Sequence, residues 1–398
     1  MKKVLFLIHA LGGGGAEKIL VNLANGMDKN QYDVTVMTVV DTGIFRNYLA
    51  EDVRYKTIIS NPFKKREKQS KEFNNVSNPG NVLSKSNPLI DIIARLYVFL
   101  WKWIPTKLIY KIAIRDKYDI EIAFLEGICS KLISSSTNSE SKKISWIHVD
   151  LINHKKSEAI FKGIDDEKKC YSKFDEIVCV SNTVREQFIK KYSYDSEKTL
   201  VRYNPIDNLD IIKKSKEKVT DIEKPNKPVL CSIGRLVTQK GFDRLLRVHK
   251  EVIQSGYEHE LWIIGEGNKR PGLEKFIEEN NLSESVKLLG FKSNPYKYLN
   301  LADIFICSSR AEGFSTVASE AIVLGKPVVT VNCSGMKELL GENNEYGIVT
   351  ENSEEELQKG IEYILKYEEI FKKYKLAAEE RSIIFDYKTA VKSIEDLC

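Results

Sequence analysis

The stretch KVLFLIHALGGGGAEKILVNLANGM, residues 3–27, places four consecutive glycines between an apolar run and a helical pattern. The run VLFLI, residues 4–8, has the length and apolar character of a buried parallel strand. From Ala16 to Met27 the apolar side chains recur at helical spacing. A strand, a glycine turn and a helix start are the phosphate-binding arrangement of α/β folds, because free amide groups and the positive helix end point into the same gap. The stretch therefore favours an α/β fold with an anion site at its first turn.

The glycines do not complete either of the two familiar nucleotide-binding motifs. A G-x-G-x-x-G pattern begun at Gly12 meets Glu17 at its third glycine, and the Gly-Lys-Ser/Thr ending of a P-loop is missing. A flexible strand-to-helix turn therefore stays open beside the phosphate-binding interpretation.

Short apolar runs alternate with helical patterns along the whole chain. The runs predict strands in two sets: VLFLI, DVTVMTVV, IEIAFL, KISWIHV, EIVCVS and TLVRYN, then PVLCSIG, ELWIIG, VKLLG, ADIFICSS and PVVTVN. Because strands that alternate with helices form parallel sheets, we expect an α/β protein with two mainly parallel sheets. The polar stretch 205–227 is the candidate linker. It predicts domains at 1–205 and 206–375, with a C-terminal helix over 376–398 that packs back on the first domain.

Composition limits the class of protein. The 398 residues are too many for one ordinary core, and 42% apolar with 29% charged residues are globular proportions that exclude a disordered chain. The seven cysteines lie in apolar surroundings without a C-x-x-C pair, as expected of reduced thiols in a cytoplasmic protein. The short apolar start runs into glycines and does not resemble a signal peptide. A net charge of +5 is too small to indicate a nucleic-acid partner.

Basic charge is concentrated between residues 61 and 117, where twelve basic residues oppose four acidic ones. The polar, lysine-rich stretch 61–87 predicts a surface loop. The segment 88–115, PLIDIIARLYVFLWKWIPTKLIYKIAIR, is interrupted by charges and by Pro105, so it is poorly suited to span a bilayer. Its charges fall on narrow helical stripes, which predicts two short basic amphipathic helices on an anionic membrane surface. The alternative is that these helices only cover the sheet of their own domain.

The second half of the chain holds two motifs that follow predicted strands. In SIGRLVTQKGFDRLL, residues 232–246, Arg235 and Lys240 lie in a loop before a helix start, which suits a diphosphate. In SSRAEGFSTVASEAIVLGKPVV, residues 308–329, Glu312 and Glu320 can accept hydrogen bonds from hydroxyl groups. A phosphate site next to a polyol site indicates a nucleotide sugar, and solvated loop charges are the alternative.

These motifs resemble those of the retaining, nucleotide-sugar-dependent glycosyltransferases of family 4, which have two Rossmann-like domains that face each other across a cleft, the GT-B architecture. The most specific features are GRLVTQKGFDRLL and the spacing of two glutamates by seven residues in AEGFSTVASEAIVLGKPVV. GGGGAEK, WIHVD, VSNTVREQF, RYNPID and IIGEGN extend the resemblance to most of the chain outside 61–115. One departure is that serine and threonine follow EGF, where the family more often has proline.

The resemblance implies a role for each matching residue. On the donor side it implies Gly14 and Gly15 near the phosphate, Arg235 and Lys240 on the diphosphate, Glu312 on the transferred sugar, Gly313, Phe314, Ser315 and Thr316 along the pyrophosphate, Glu320 on the ribose, and Phe291 and Lys292 near the base. On the acceptor side it implies His148, and Asp150 is a further candidate contact, although a lone histidine is more often structural. The residues expected to act in catalysis are Glu312, His148, Arg235 and Lys240.

The resemblance also implies the chemistry. The sugar would keep its anomeric configuration, because the departing phosphate oxygen takes the acceptor proton on the face of attack. The sequence has no D-x-D pair, so we expect no metal and no cofactor other than the donor, a UDP-sugar that carries a hexosyl or N-acetylhexosaminyl group.

Together these features predict a retaining bacterial glycosyltransferase of surface polysaccharide synthesis, such as that of a capsule. It would act on a lipid-linked glycan at the inner face of the plasma membrane. Two alternatives stay open: a nucleotide-sugar epimerase of the same fold, which would not need the membrane-facing segment, and a non-catalytic partner subunit of a two-protein transferase, which would not need a complete donor site.

Overall fold

The structure, a computed structural model, describes residues 1–60, 99–153 and 155–398. The chain divides into two units. The first unit holds the described residues up to Pro205 together with Lys388–Cys398, and the second holds Ile206–Tyr387. The predicted loop at 61–87 and the first part of the segment 88–115 lie outside the described residues.

The first unit is built on a parallel sheet, which has seven strands in the described part of the chain. The strands are β1 (Lys2–Ile8), β2 (Tyr32–Val40), β3 (Arg54–Ile59), β4 (Ile120–Ala123), β5 (Lys142–Ile147), β6 (Glu176–Cys179) and β7 (Thr199–Val201). Their order is β3-β2-β1-β4-β5-β6-β7. The helices are α1 (Gly15–Gly26), α2 (Thr106–Ala113), α3 (Ile128–Ile133), α4 (Ile164–Tyr171) and α5 (Asn182–Tyr192). Residues 4–8 have no exposed surface, as expected of a parallel strand that is covered on both faces.

The second unit has a parallel sheet of the order β10-β9-β8-β11-β12-β13. Its strands are β8 (Val229–Ile233), β9 (Glu260–Ile264), β10 (Val286–Gly290), β11 (Ile304–Cys307), β12 (Val328–Val331) and β13 (Ile348–Thr350). Its helices are α6 (Asn208–Ser215), α7 (Phe242–Gln254), α8 (Arg270–Glu279), α9 (Tyr296–Leu301), α10 (Thr316–Val323), α11 (Met336–Leu340), α12 (Glu354–Lys366) and α13 (Glu368–Arg381). The last helix, α14 (Tyr387–Glu395), carries the chain into the first unit. The edge strands β3 and β13 were not predicted from the sequence.

In both sheets the strand order reverses beside the first strand of the unit. β1 pairs with β2 on one side and with β4 on the other, and β8 pairs with β9 and β11. At such a switch point the carboxyl ends of the strands border a crevice in which open α/β sheets bind ligands. The glycine turn after β1 and the cationic loop after β8 both lie at such ends.

Two predicted boundaries need correction. The stretch 205–227, expected to be a linker, contains α6, which buries Ile211 and packs against α9 and α10. That helix has only eight residues, so its apolar face is too short to give a sustained pattern in the sequence. The C-terminal helix expected from residue 376 is also displaced, because residue 376 lies inside α13 and the chain joins the first unit at Lys388.

The described part of the basic apolar segment is helical at 99–103 and again in α2. Tyr110 is the buried residue of α2, and its Oη donates to Glu121 Oε1 of β4 at 2.7 Å. Five large apolar side chains of this segment are 45–58% exposed: Phe99, Leu100, Trp103, Leu108 and Ile112. We call these side chains, together with the lysines between them, the basic apolar face. This exposure does not support the alternative that the helices only cover their own sheet. Among the described helices, none combines the length and apolar character that crossing a membrane requires.

Candidate functional site

The glycine turn after β1 leads directly into α1. Gly14 is the N-cap residue in an extended conformation, and Gly15 is the first helical residue. The carboxylate of Glu17 lies against this turn, because a Cβ built on Gly14 would come within 2.2 Å of Glu17 Oε2. An acidic group in the first turn stabilises a helix N-terminus, but it also competes with any other anion for that place. The structure thus puts a carboxylate beside the turn for which the sequence predicted a donor phosphate, and the phosphate contact of Gly14 and Gly15 stays a prediction.

The second unit brings Lys240 and Glu312 together from distant parts of the sequence. Lys240 lies in the loop after β8 and Glu312 in the loop after β11, and Lys240 Nζ is 2.6 Å from Glu312 Oε1. Although burial opposes the charged form, the Glu312 carboxylate raises the pKa of Lys240 above its ordinary value, so the amine is an ammonium. The predicted diphosphate cation and the predicted sugar-binding carboxylate therefore belong to one site.

The hydrogen bonds of Glu312 fall on one carboxylate oxygen. Ser309 Oγ donates to Oε1 at 2.5 Å, and Lys240 Nζ donates to the same atom. Within the described residues, Oε2 makes no hydrogen bond. Because an ionised carboxylate can accept about four hydrogen bonds, Oε2 keeps its capacity for hydroxyl groups of a ligand.

The backbone around this pair is closely packed. Gly241 has a φ of +68°, and a Cβ there would lie 2.2 Å from Ser308 O, so a side chain does not fit. From α7, Arg244 donates to Ser308 O at 2.6 Å and to Ser309 O at 2.9 Å. These contacts fix the end of β11 against the start of α7. Arg244 was not singled out from the sequence, and only its burial in the structure identifies it.

Arg235 is exposed and makes no ion pair within the described residues. Two glycines of IIGEGN shape its loop, since a Cβ on Gly265 would lie 1.9 Å from Gly234 O and one on Gly267 would lie 2.4 Å from Leu236 O. This close packing of the loops after β8 and β9 leaves the guanidinium open to solvent. An unpaired guanidinium can receive a phosphate through paired hydrogen bonds.

The loop after β11 leads into the N-terminus of α10. Ser315 is the N-cap residue, and its Oγ accepts a hydrogen bond from a first-turn amide at 3.3 Å. Thr316 is the first helical residue, so the other first-turn amides lack intrahelical partners at a positive helix end. Gly313 and Phe314 pack on Gly335, where a Cβ would lie 2.6 Å from Gly313 O. Ser315 lines one small cavity together with the ion pair of the loops after β8 and β11.

Three residues predicted to contact the nucleoside lie in different surroundings. Glu320 is buried in α10, and Tyr296 Oη donates to its Oε1 at 3.3 Å. Phe291 is exposed. Lys292 Nζ is 2.5 Å from Asp221 Oδ2, in the segment after α6, so this lysine already has a partner. Contacts of these residues with ribose and base stay predictions.

In the first unit, His148 directly follows β5 and is 9% exposed. Its ring centroid lies 4.9 Å from that of Phe124 and 6.2 Å from that of Trp146. Burial lowers the pKa of His148 to about 3, so the imidazole is neutral near pH 7. Nε2 is buried without a partner in the described part of the chain. A neutral ring with an unpartnered nitrogen can pair with a ligand hydroxyl.

Asp150 is buried and shapes the turn that follows it. Its Oδ1 accepts the backbone N–H groups of Ile152 at 2.9 Å and Asn153 at 3.2 Å, and its Oδ2 accepts Asn153 Nδ2 at 2.7 Å. These hydrogen bonds lie within the turn that begins at Asp150, so they account for the burial of its carboxylate. An acceptor contact by Asp150 stays a prediction.

A carboxylate that the sequence did not single out lies beside His148. Glu126 follows β4, and its Oε2 accepts the backbone N–H of His148 at 3.1 Å. Glu126 makes no ion pair within the described residues. Burial, with a further contribution from Glu17, raises the pKa of Glu126 above its ordinary value. Its place just after a switch-point strand, in IEIAFLEG, is the signal that could have identified it.

The described residues contain no group of three histidine, cysteine or carboxylate side chains placed to hold a metal ion. The seven cysteines are free. Catalysis without a metal stays a prediction.

Residues 213–381, within the second unit, match the family described as Glycosyl transferases group 1. The chain is similar to the N-acetylgalactosamine-N,N'-diacetylbacillosaminyl-diphospho-undecaprenol 4-alpha-N-acetylgalactosaminyltransferase of Campylobacter jejuni, with 35% identity over 218 residues. That alignment covers 54% of this chain and 58% of the relative. An uncharacterized glycosyltransferase of Haemophilus influenzae is 24% identical, over 93% of this chain and 92% of that protein. The resemblance to glycosyltransferases is thereby confirmed.

The fold is similar to that of solved structures over the whole chain. Anabaena Alr3699/HepE in complex with UDP and glucose has a TM-score of 0.72 at 19% identity, covering 100% of this chain and 99% of that one. TarM has a TM-score of 0.69 at 15% identity, covering 100% of this chain and 98% of that one. Together with the two parallel sheets, this likeness confirms the predicted GT-B fold class.

Proposed function

We propose that this chain, whose residues 213–381 match the glycosyl transferases group 1 family, moves a sugar from a UDP-sugar to a lipid-linked glycan, with retention of configuration and without a metal. The observation that carries the proposal is the ion pair of Lys240 and Glu312 at the carboxyl ends of β8 and β11. It lies in one cavity with Ser315, the N-cap of α10. A cation, a carboxylate and a helix N-terminus are the groups that a sugar diphosphate requires.

The donor would bind through groups that keep unused hydrogen-bonding capacity. Lys240 donates one of its three N–H groups to Glu312, so the other two can donate to phosphate oxygens. Arg235 offers an exposed guanidinium without an ion pair in the described residues. Oε2 of Glu312 can accept hydroxyl groups of the transferred sugar.

Transfer breaks the bond between the anomeric carbon and the diphosphate oxygen, and the bonding electrons leave with the diphosphate. Arg235, Lys240 and the first-turn amides of α10 would stabilise that charge from fixed positions. The acceptor oxygen bonds to the anomeric carbon on the same face, and its proton passes to the departing phosphate oxygen. A protein nucleophile is therefore unnecessary. The neutral ring of His148 would hold the acceptor hydroxyl at Nε2.

The acceptor would be a lipid-linked glycan at the cytoplasmic face of the plasma membrane, in bacterial surface polysaccharide synthesis. The Campylobacter relative is named for a substrate carried on diphospho-undecaprenol. The basic apolar face carries the exposed Lys107 and Lys111, and Lys162 Nζ lies 4.6 Å from the ring centroid of Trp103. Anionic lipid attracts such cations while the apolar side chains enter the headgroup region. The free cysteines fit a reducing compartment.

A donor panel tests the activity. The protein is incubated with UDP-glucose, UDP-galactose, UDP-GlcNAc or UDP-GalNAc, and UDP release is measured with and without EDTA. We expect release from one donor, unchanged by EDTA, and a product whose anomeric NMR signal has the configuration of the donor. Release from none of the four would refute the transferase. Loss with EDTA that manganese restores would refute metal-free catalysis, and an inverted signal would refute retention.

Sedimentation with phosphatidylglycerol vesicles tests the membrane partner. Because each basic residue near the surface contributes about 1 kcal/mol, replacing Lys102, Lys107 and Lys111 by Glu should abolish binding. The control reverses three exposed lysines of the second unit and has the same net charge: Lys275, Lys359 and Lys372. Equal loss of binding in both variants, or no loss in either, would contradict docking through the basic apolar face.

A further inference from the structure

Glu126, which follows β4, and Ser157, in the segment between β5 and β6, carry polar atoms that the transfer step described above leaves unused. Glu126 receives the backbone N–H of His148 on Oε2. Oγ of Ser157 is buried without a partner in the described part of the chain, as is Nε2 of His148. Ser157 packs on the loop of Glu126, because a Cβ built on Gly127 would lie 3.4 Å from Ser157 Cβ. The loop of Glu126 therefore contacts both His148 and Ser157.

The charge around this loop does not suit an anionic ligand. Glu126 has no ion pair within the described residues. Beyond the effect of burial, the nearby Glu17 carboxylate raises the pKa of Glu126 further. A phosphate here would meet carboxylates, whereas neutral hydroxyl groups can donate to a carboxylate and to an imidazole nitrogen.

A carboxylate without a cationic partner in a poorly hydrated place lowers stability. Proteins retain such groups chiefly where function needs them. The described residues around Glu126 do not form a metal-binding group. With an anion and a metal ion excluded, a ligand rich in hydroxyl groups is the class of ligand that can form hydrogen bonds with the unpartnered atoms.

We propose that Glu126 binds hydroxyl groups of the acceptor sugar beside His148 and so helps to determine which acceptor is used, which rests on the proposed transferase function. Backbone N–H groups, that of His148 among them, use part of the acceptor capacity of Glu126, and an ionised carboxylate, which accepts about four hydrogen bonds, keeps room for a hydroxyl. Nε2 of His148 takes a second hydroxyl, and the hydroxyl of Ser157 can complete the contact.

Sugar binding can be measured apart from transfer. The probes are the octyl glycosides of glucose, galactose, GlcNAc and GalNAc, titrated by saturation-transfer NMR into wild type, Glu126→Gln, Glu126→Asp and Glu140→Gln. Glu140 is an exposed glutamate of the same unit and serves as the control. We expect Glu126→Gln to weaken binding about tenfold, the loss of one charge-assisted hydrogen bond. Glu126→Asp should restore part of the affinity, and Glu140→Gln should not change it.

The melting temperature separates binding from a structural role. Glutamine keeps an oxygen for the His148 N–H and removes the unpaired charge, so Glu126→Gln should melt at the same temperature as wild type or higher. The proposal is overturned if wild type binds none of the glycosides, if Glu126→Gln binds as tightly as wild type, or if affinity and melting temperature fall together. UDP release without acceptor should be equal in wild type and the control Glu140→Gln. Its absence from wild type would refute the transferase, while the glycoside titrations still decide on Glu126.

Discussion

Replacing Lys240 by alanine should have two separable effects, and the first is on stability. Glu312 is 8% exposed and would lose its ion-pair partner while keeping the hydrogen bond from Ser309. Breaking a buried ion pair costs about 3–5 kcal/mol of unfolding free energy. The Lys240 side chain is 21% exposed, so water can enter the space that it leaves. We therefore expect a loss at the lower end of that range, about 3 kcal/mol.

The second effect is on transfer. Lys240 would stabilise the charge that builds up on the leaving diphosphate, and removing one such donor costs roughly 100-fold to 1000-fold in rate. The double variant Lys240→Ala, Glu312→Gln removes the unpaired carboxylate as well. It should recover most of the lost unfolding free energy but none of the lost rate, because the cation is still missing. Because Glu312→Gln also removes the carboxylate proposed to bind the sugar, the rate of the folded single variant Lys240→Ala distinguishes a donor-site lysine from a merely structural one, and the double variant shows the origin of the stability loss.

Urea unfolding and UDP release from the donor that wild type uses measure the two effects. The control is Lys275→Ala in α8, which breaks an exposed pair with Glu279 at 3.6 Å. Exposed pairs contribute about 0–1 kcal/mol, so this control should keep both its stability and its rate. A folded Lys240→Ala variant with a rate near wild type, or a double variant that recovers its rate, would refute the donor-site assignment.

Three further predictions concern the second unit. His249 Nδ1 and His259 Nε2 are 2.8 Å apart and buried, and burial lowers the pKa of both rings, that of His249 to about 3. Below the unfolded pKa of about 6.5 the unfolded state takes up protons that the folded rings do not, so the stability that these histidines contribute is complete above that pH and is lost as the pH falls. The urea midpoint should therefore drop between about pH 7 and pH 5, and a constant midpoint would contradict this. Gly241→Ala should lower the urea midpoint and weaken UDP binding. The control Gly256→Ala has a φ of +92° but no atom within 4 Å of the added Cβ, so it strains only the backbone. Equal losses in both variants would contradict the argument that a side chain at residue 241 displaces the end of β11. Glu320→Gln should weaken UDP binding about tenfold in calorimetry, and an unchanged affinity would refute a ribose contact by Glu320.

The sequence predicted the central strands and the edge strands β7 and β10, and it missed the edge strands β3 and β13 for a physical reason. Strands in the middle of a parallel sheet are covered on both faces and read as continuous apolar runs, as in β1 and β8. The edge strand β3 has the sequence RYKTII and no fully buried residue, so it gives neither a continuous run nor a clear alternation. The edge strand β13 has three residues, too few for a periodic signal.

The same distinction applies to the site. Lys240 and Glu312 each belong to a contiguous motif that the sequence displays, and their contact follows from the adjacent positions of β8 and β11. Arg244 and Glu126 act through backbone groups that are distant in sequence, Ser308 O in one case and the His148 N–H in the other. Such contacts have no local pattern, so the sequence alone could not predict them, although the place of Glu126 just after β4 could have marked it as a candidate.

The two switch points share the same kind of strand pairing but carry side chains of opposite charge beside them. In the second unit, the exposed Arg235 and the ammonium of Lys240 lie in the loop after β8. In the first unit, Glu17 lies against Gly14, and a carboxylate without an ion pair in the described residues follows β4. A glycine turn before a helix provides amide groups, but the neighbouring side chains decide whether an anion is attracted there. By this argument the diphosphate and the transferred sugar belong to the second unit and the acceptor hydroxyls to the first, and a phosphate that approaches the glycines of residues 12–15 would have to overcome the repulsion of Glu17.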